Sequence, residues 1–258
     1  IYQEVIDPGN EAVRKSEYYA NGNVIESEYG KLIGAKFLGI GGQTLSQLQT
    51  LGESWGLMPS EKAIVFIDNH DKQRGHGGGG TYLTYKDGKL YDLANIFMLA
   101  FPYGTPQIMS SYAFSTSDQG PPADANGHTD AVYRNRQVNC FGKWVCEHRR
   151  PAIAQMVNFR NQISPNAPVT HWWSNEGNQI AFGRGNQAFV VINRSPQLLT
   201  QTFQTRLPAG RYCDVITGGW MPRGSCTSEF TVDSQGRLTL SLEGMAAIAL
   251  HIGARLES

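Results

Sequence analysis

Ala63-Ile64-Val65-Phe66-Ile67-Asp68-Asn69-His70-Asp71 is the stretch whose reading decides the fold. Five apolar residues, three of them β-branched, stand between Pro59-Ser60 and Gly75, a pattern that predicts a short strand buried on both faces. Strands of that kind belong to parallel sheets covered by helices. The run stops on four polar residues, Asp68 to Asp71, which the pattern places at the carboxyl end of the strand. In parallel α/β folds that end is where ligands bind. The plainer alternative is a polar loop that caps a following helix.

The start of the chain repeats the arrangement. Ile1-Tyr2-Gln3-Glu4-Val5-Ile6-Asp7 is β-prone and sets a carboxylate, Glu4, among apolar neighbours. Burial there disfavours the charged form and predicts a raised proton affinity, which suits a general acid. Two carboxyl groups on either side of a bond are what glycoside hydrolysis uses. Many α/β proteins carry acids near strand ends, so the pair alone does not decide.

Longer strings decide more. Tyr2-Gln3-Glu4-Val5-Ile6-Asp7, Phe66-Ile67-Asp68-Asn69-His70-Asp71 and Gln73-Arg74-Gly75-His76-Gly77 resemble signature regions of the animal-type α-amylases, glycoside hydrolase family 13. Tyr103-Gly104, Met109-Ser110-Ser111-Tyr112, Trp144-Val145-Cys146-Glu147-His148-Arg149 and Ala181-Phe182-Gly183-Arg184-Gly185 follow in the family's order, as do Leu207-Pro208-Ala209-Gly210 and Tyr212-Cys213-Asp214-Val215-Ile216. The resemblance covers essentially the whole chain but only the second half of such an enzyme. It implies retaining endo-hydrolysis of α-1,4-glucosidic bonds in starch, glycogen and maltooligosaccharides. Two other readings stand beside it: a catalytically silent amylase-like glucan-binding or transport module, and a structural or inhibitor-type β protein.

The resemblance also assigns roles. Glu4 matches the acid that protonates the leaving oxygen and later activates water. Asp71 matches the second carboxylate, which stabilises the oxocarbenium-like charge. His70 and, before a run of glycines, His76 match sugar contacts, and Glu11 a further one. Trp55 reads as core packing ahead of sugar stacking. Asn69 and Gln107 match two members of an anion site. The family holds chloride with two arginines and an asparagine, and Gln107 stands where one arginine is found. A neutral amide offers donors without charge, so chloride is not expected to be required. The nucleophile lies in a family motif resembling GFRxDAxKH, and the nearest string here, Asn158-Phe159-Arg160-Asn161, lacks the acid. The nucleophile and most calcium ligands are therefore expected upstream; calcium is expected in a full-length enzyme and no metal site falls on these residues.

Composition bounds the rest. The 258 residues are 40% hydrophobic and 17% charged, as in a globular protein, with a formal net charge of +0. That balance gives no electrostatic case for nucleic acid or an anionic membrane as partner. No apolar stretch approaches the roughly 18–20 residues that span a bilayer. A signal peptide removed before Ile1 is compatible with a chain that opens without Met. Cys140, Cys146, Cys213 and Cys226 allow three pairings, and zinc is disfavoured because neither local pair has C-x-x-C spacing. The family's pairing implies Cys140–Cys146 and Cys213–Cys226, hence secretion to the extracellular space. A monomer is expected for the complete protein.

Along the chain, Asn23–Tyr29 predicts a second strand, and Leu45, Leu48 and Leu51 mark a helix face ending near Gly52. Gly77–Gly80 is too flexible for a regular element. Leu90, Leu93, Phe97 and Phe101 predict a helix stopped by Pro102; Gln107–Tyr112 predicts a fourth strand. A Gly-, Pro- and Asp-rich loop covers about 115–139. Ile153, Met156, Val157 and Ile163 mark a last helix with Pro151 in its first turn. The alternation is βα repetition, half of a (β/α)8 TIM barrel, over residues 1–165. Over 166–258, Ile180/Phe182 and Phe189/Val191 about Gly185-Asn186, and Glu229–Val232 against Arg237–Leu242, predict antiparallel hairpins. The fold class is thus α/β plus all-β, a half-barrel followed by a small antiparallel Greek-key β-sandwich.

Overall fold

The computed structural model describes residues 1–76, 82–217 and 226–256. Four short strands, β1 (Tyr2–Gln3), β2 (Asn23–Ile25), β3 (Ala63–Val65) and β4 (Thr105–Pro106), form a sheet in that order. All three pairings are parallel, with Gln3 opposite Val24, Ile25 opposite Ile64, and Val65 opposite Pro106. Helix α1 (Ser27–Leu38) follows β2, α2 (Lys89–Ala100) follows β3, and α3 (Pro151–Asn161) follows β4. Between β1 and β2 runs only a 3-10 turn, Lys15–Tyr18. This is the half-barrel predicted from the sequence.

Several boundaries differ from expectation. The first strand is Tyr2–Gln3 and stops before Glu4. The predicted strand Asn23–Tyr29 gives way to helix at Ser27, because the buried Glu26 carboxylate accepts from Glu28 N and caps the turn. Tyr29, Ile33 and Phe37 then line one buried face, a stripe that Gly30 and Gly34 obscure in the sequence. Gly30 is needed: a Cβ there would lie 2.7 Å from the Ile67 carbonyl and 2.8 Å from that of Phe66. The Leu45–Leu51 face is a 3-10 helix, Leu45–Thr50, whose period of three buries Leu45 and Leu48. The fourth strand is Thr105–Pro106 instead of Gln107–Tyr112; Tyr112 makes a single bridge to Trp144. Gly77–Gly80 falls outside the described residues.

Helix α2 matches its stripe and Pro151 opens α3, but of the predicted α3 stripe only Ile153 and Met156 are buried within the helix. Ile163 lies beyond the end of α3, and Val157 is exposed. Nearly every side of α2 is buried, since strands cover one face and the β-rich part of the chain the other. In the loop before α3 a small hairpin pairs β5 (Tyr133–Arg134) with β6 (Gln137–Val138), and disulfide Cys140–Cys146 follows.

Among the described residues that follow, eight strands are antiparallel: β7 (Val169–Ser174), β8 (Gln179–Arg184), β9 (Ala188–Asn193), β10 (Leu199–Gln204), β11 (Gly210–Cys213), β12 (Glu229–Val232), β13 (Arg237–Leu242) and β14 (Ala246–His251). One sheet runs β14-β9-β8-β7 and the other β10-β13-β12-β11. The latter order, with β10 returning beside β13, is a Greek key. Period two explains the layers. Phe189, Val191, Ile248 and Leu250 face the second sheet, while Val190, Ile192, Ala247 and Ala249 join the core beneath the helices. Phe182 meets Phe97 and Phe101 edge-on, at centroid distances of 6.0 and 5.9 Å. Both hairpins have the expected turns, pairing Phe182 with Val190 and Val232 with Leu238. Cys213–Cys226 closes the second short loop.

Candidate active site

At the carboxyl ends of β1 to β4 a cleft of about 270 Å³ is lined by Tyr2, Glu4, Asn69, His70, Gln107 and Met109 among others. Parallel pairing brings these together, because each strand ends at the same level and delivers its next residues to one side. Of the residues singled out in the sequence, Glu4, Asn69, His70 and Gln107 meet here.

Glu4 departs from its expected environment. It is exposed, and its strand is the outermost of the described sheet, so no apolar wall surrounds its carboxylate. It stands directly after the end of β1, at the rim of the cleft.

The loop after β3 divides by depth. Asp68 does not spill outward but turns in, with 2% of its surface exposed. Tyr91 Oη donates to Asp68 Oδ1 at 2.9 Å and Gln73 Nε2 to Asp68 Oδ2 at 2.6 Å. Burial pushes the Asp68 carboxyl up to about 7; the bonds from Gln73 and Tyr91 oppose that rise, and the nearby Glu147 carboxylate adds to it. His70 and Asp71 point the other way, with 70% and 38% of their side chains exposed. His70 Nε2 lies 3.6 Å from Asp71 Oδ1. His76 is exposed, and its backbone N donates to the Asp71 carbonyl at 3.0 Å. Glu11 stands exposed after the Asp7-Pro8-Gly9 turn and does not line the cleft. Trp55 packs on the core with Lys36 Nζ 4.4 Å from its ring, in keeping with the packing reading.

Residues to which the sequence gave no role form the floor. Gln73 Nε2 also donates to Ser111 Oγ at 2.6 Å. Ser111 N donates to Glu147 Oε2 at 2.7 Å, and the Ser111 hydroxyl donates to Glu147 Oε1. Glu147 is wholly buried just after the Cys140–Cys146 disulfide. Both Ser111 and Glu147 sit in strings that carried the resemblance, but nothing local pairs residues 36 apart. Behind β2 a further buried carboxylate, Glu26, takes Lys15 Nζ at 2.9 Å and Met58 N at 2.8 Å.

Asn69 and Gln107 share the cleft, and the residues lining it include no arginine. The Asn69 side-chain oxygen accepts from Lys72 N at 2.8 Å. Two neutral amides do not make a charge-assisted anion site, so these residues alone do not fit chloride. Among the described residues, no group of three or more His, Cys, Asp or Glu side chains could hold a metal ion. No described helix is long and apolar enough to cross a membrane.

A parallel half-barrel with acids and amides at its carboxyl ends, continued by a Greek-key sandwich, is the architecture that defines the class of this chain. The comparisons narrow it. A family model described as the alpha amylase C-terminal all-beta domain matches residues 172–253. Mouse pancreatic alpha-amylase 2a5 is 45% identical over 270 aligned residues, covering 99% of this chain and 53% of that protein. Human alpha-amylase 1B is likewise 45% identical, with 99% and 52% covered. Wild-type alpha-amylase I of the earthworm Eisenia fetida superposes with a TM-score of 0.89 at 40% identity, covering 97% of this chain and 53% of that one. A mutant of the earthworm enzyme, solved with maltohexaose, has the same TM-score. The homologues of this chain are thus animal α-amylases, and the chain spans about half the length of the curated relatives it matches.

Proposed function

We propose that this chain is the C-terminal half of an α-amylase that cleaves α-1,4-glucosidic bonds of starch and glycogen with retention. The observation that carries the reading is the convergence of Glu4, Asn69, His70 and Gln107 on one cleft at the carboxyl ends of parallel strands. Glu4, exposed at its strand end, protonates the departing glycosidic oxygen and then activates water. Asp71, beside His70, stabilises the positive charge that spreads over the sugar ring, and His70 donates to a sugar hydroxyl. Maltohexaose bound to the earthworm relative supports an α-1,4-glucan as ligand. His76 and Glu11 extend the sugar contacts. The nucleophile and most calcium ligands belong to the other half of the enzyme, and chloride is not required. The barrel part covers residues 1–165 and the sandwich 166–258, the first strand of the latter opening at Val169. Two disulfides fit secretion into an oxidising, extracellular compartment, and the complete protein is a monomer.

The test is to express the complete protein that contains this chain and incubate it with soluble starch and maltohexaose, following products and their anomeric form. Internal cleavage with α-anomeric products is expected. Tight glucan binding without turnover would replace this reading with that of a silent binding module.

A further inference from the structure

The loop that carries His70 and Asp71 is tied at both ends by one side chain. Asp68 precedes it and Gln73 follows it, and Gln73 Nε2 donates to Asp68 Oδ2 at 2.6 Å. Inside this closure Gln73 N donates to the Asn69 carbonyl at 3.1 Å, and Arg74 N and His76 N both donate to that of Asp71, at 3.0 Å each. The second proton on Gln73 Nε2 goes to Ser111 Oγ at 2.6 Å. Ser111 has spent its own hydroxyl proton and its backbone N–H on the buried Glu147. The donor directions are therefore fixed along the whole chain of contacts. Tyr91 and Gln73 give to Asp68, Gln73 gives to Ser111, and Ser111 gives to Glu147. An uncharged amide supplies two protons from one nitrogen, whereas a hydroxyl or a carboxyl supplies at most one.

The floor is anchored outside the loop as well. Val145 N donates to the Ser111 carbonyl at 2.8 Å, and the Cys140–Cys146 disulfide precedes Glu147 directly. We propose that Gln73 is a positioning residue: its amide fastens the Asp68–Gln73 loop to the Ser111–Glu147 floor, so that His70 and Asp71 meet the sugar in one fixed geometry. Gln73 acts through the two residues above it. The inference rests on the amylase reading of His70 and Asp71 given above.

The experiment uses the complete protein. Its wild type is assayed first on maltohexaose, since absence of hydrolysis there counts against the functional reading and not against Gln73. Gln73→Leu keeps the bulk and removes both donors; Gln73→Glu keeps the length and takes its place should the Leu variant fail to fold. A folded variant is expected to lose roughly 10- to 100-fold in kcat, as misplacement of catalytic groups by about 1 Å does. KM should change by less than about threefold, because distant glucan contacts remain. In an Asp71→Asn background the same Gln73 change should cost much less, since its effect passes through Asp71. Unchanged kcat in a folded variant, or a full-sized loss in the Asp71→Asn background, would overturn the proposal.

Discussion

Arg184 of β8 donates Nη1 to the Ala100 carbonyl at 2.6 Å, placing a guanidinium from the sandwich on the open end of the barrel helix α2. The same side chain gives Nε to the Ala167 carbonyl at 2.9 Å and Nη2 to those of Ser164 and Pro165. Arg160 of α3 does the like for Leu99 and Phe101, at 3.1 and 2.9 Å. The last carbonyls of a helix have no partner within it and carry its negative pole. Buried Arg184 and half-buried Arg160 fill that need, and burial holds the Arg184 guanidinium down to about 10.

Arg184→Met should therefore strand several buried carbonyls. A loss of roughly 3 kcal/mol is expected, which for a chain of this size lowers Tm by about 6–12 °C. Arg184→Lys should recover only part, since one ammonium does not reach four acceptors. Thermal unfolding of both variants checks this, and a Met variant as stable as wild type would refute it.

Gly30→Ala tests the contact of α1 with the strand that leads to the cleft. Alanine improves helix propensity by about 1 kcal/mol. Its Cβ, however, would stand 2.7 Å from a backbone carbonyl that has no room to yield. A net loss of roughly 1–3 kcal/mol is expected; a stabilised variant in denaturant titration would show that α1 sits farther from Ile67.

Two buried groups give opposite pH slopes. Asp68, up to about 7 from 3.8, binds more protons folded than unfolded in that window, so its share of stability falls as pH rises from about 4 to 7. His251, brought down by burial to about 4 from 6.5, binds more protons unfolded, so its share rises with pH between those values. Each spans on the order of 3–4 kcal/mol, and the two largely offset. Asp68→Asn should make Tm climb from pH 4 to 6.5, while His251→Gln should make it decline. Parallel Tm profiles for the two variants would contradict the assignment.

Glu4→Gln in the complete enzyme should lower kcat on starch by about 10²–10⁴-fold while leaving glucan binding in place. An aryl maltoside whose leaving group needs no proton should lose far less. Equal loss on both substrates would remove Glu4 from the role of acid.

Chloride dependence should be slight. Gln107 and Asn69 present neutral amides to the cleft, and no arginine or lysine is among the described residues that line it, so no charge-assisted partner draws an anion there. Activity after dialysis into chloride-free buffer, followed by chloride addition at fixed ionic strength, checks this. Severalfold activation would be the opposing result, and Gln107→Arg is expected to create it.

Short-range patterns were enough for much of this protein. Ala63–Ile67 announced a doubly buried strand because apolar β-branched runs have few other homes, and all five residues are buried. The stripe from Leu90 to Phe101, Pro151 at the start of α3 and the Gly185-Asn186 turn follow from helical period, fixed φ and turn chemistry. The motif strings placed the candidate residues on strand ends, and the cleft gathers four of them. Tertiary structure decided what those patterns do not encode. Glu4 stands exposed because burial depends on neighbours across the sheet, not on neighbours in sequence. Helix α1 carries Gly30 because packing against the Phe66 and Ile67 carbonyls just beyond β3 requires a residue without a side chain there. Asp68 turns inward, away from Asp71, because Gln73, Tyr91 and, through Ser111, Glu147 are waiting there. Those partners come from distant segments that meet only once the parallel register is set.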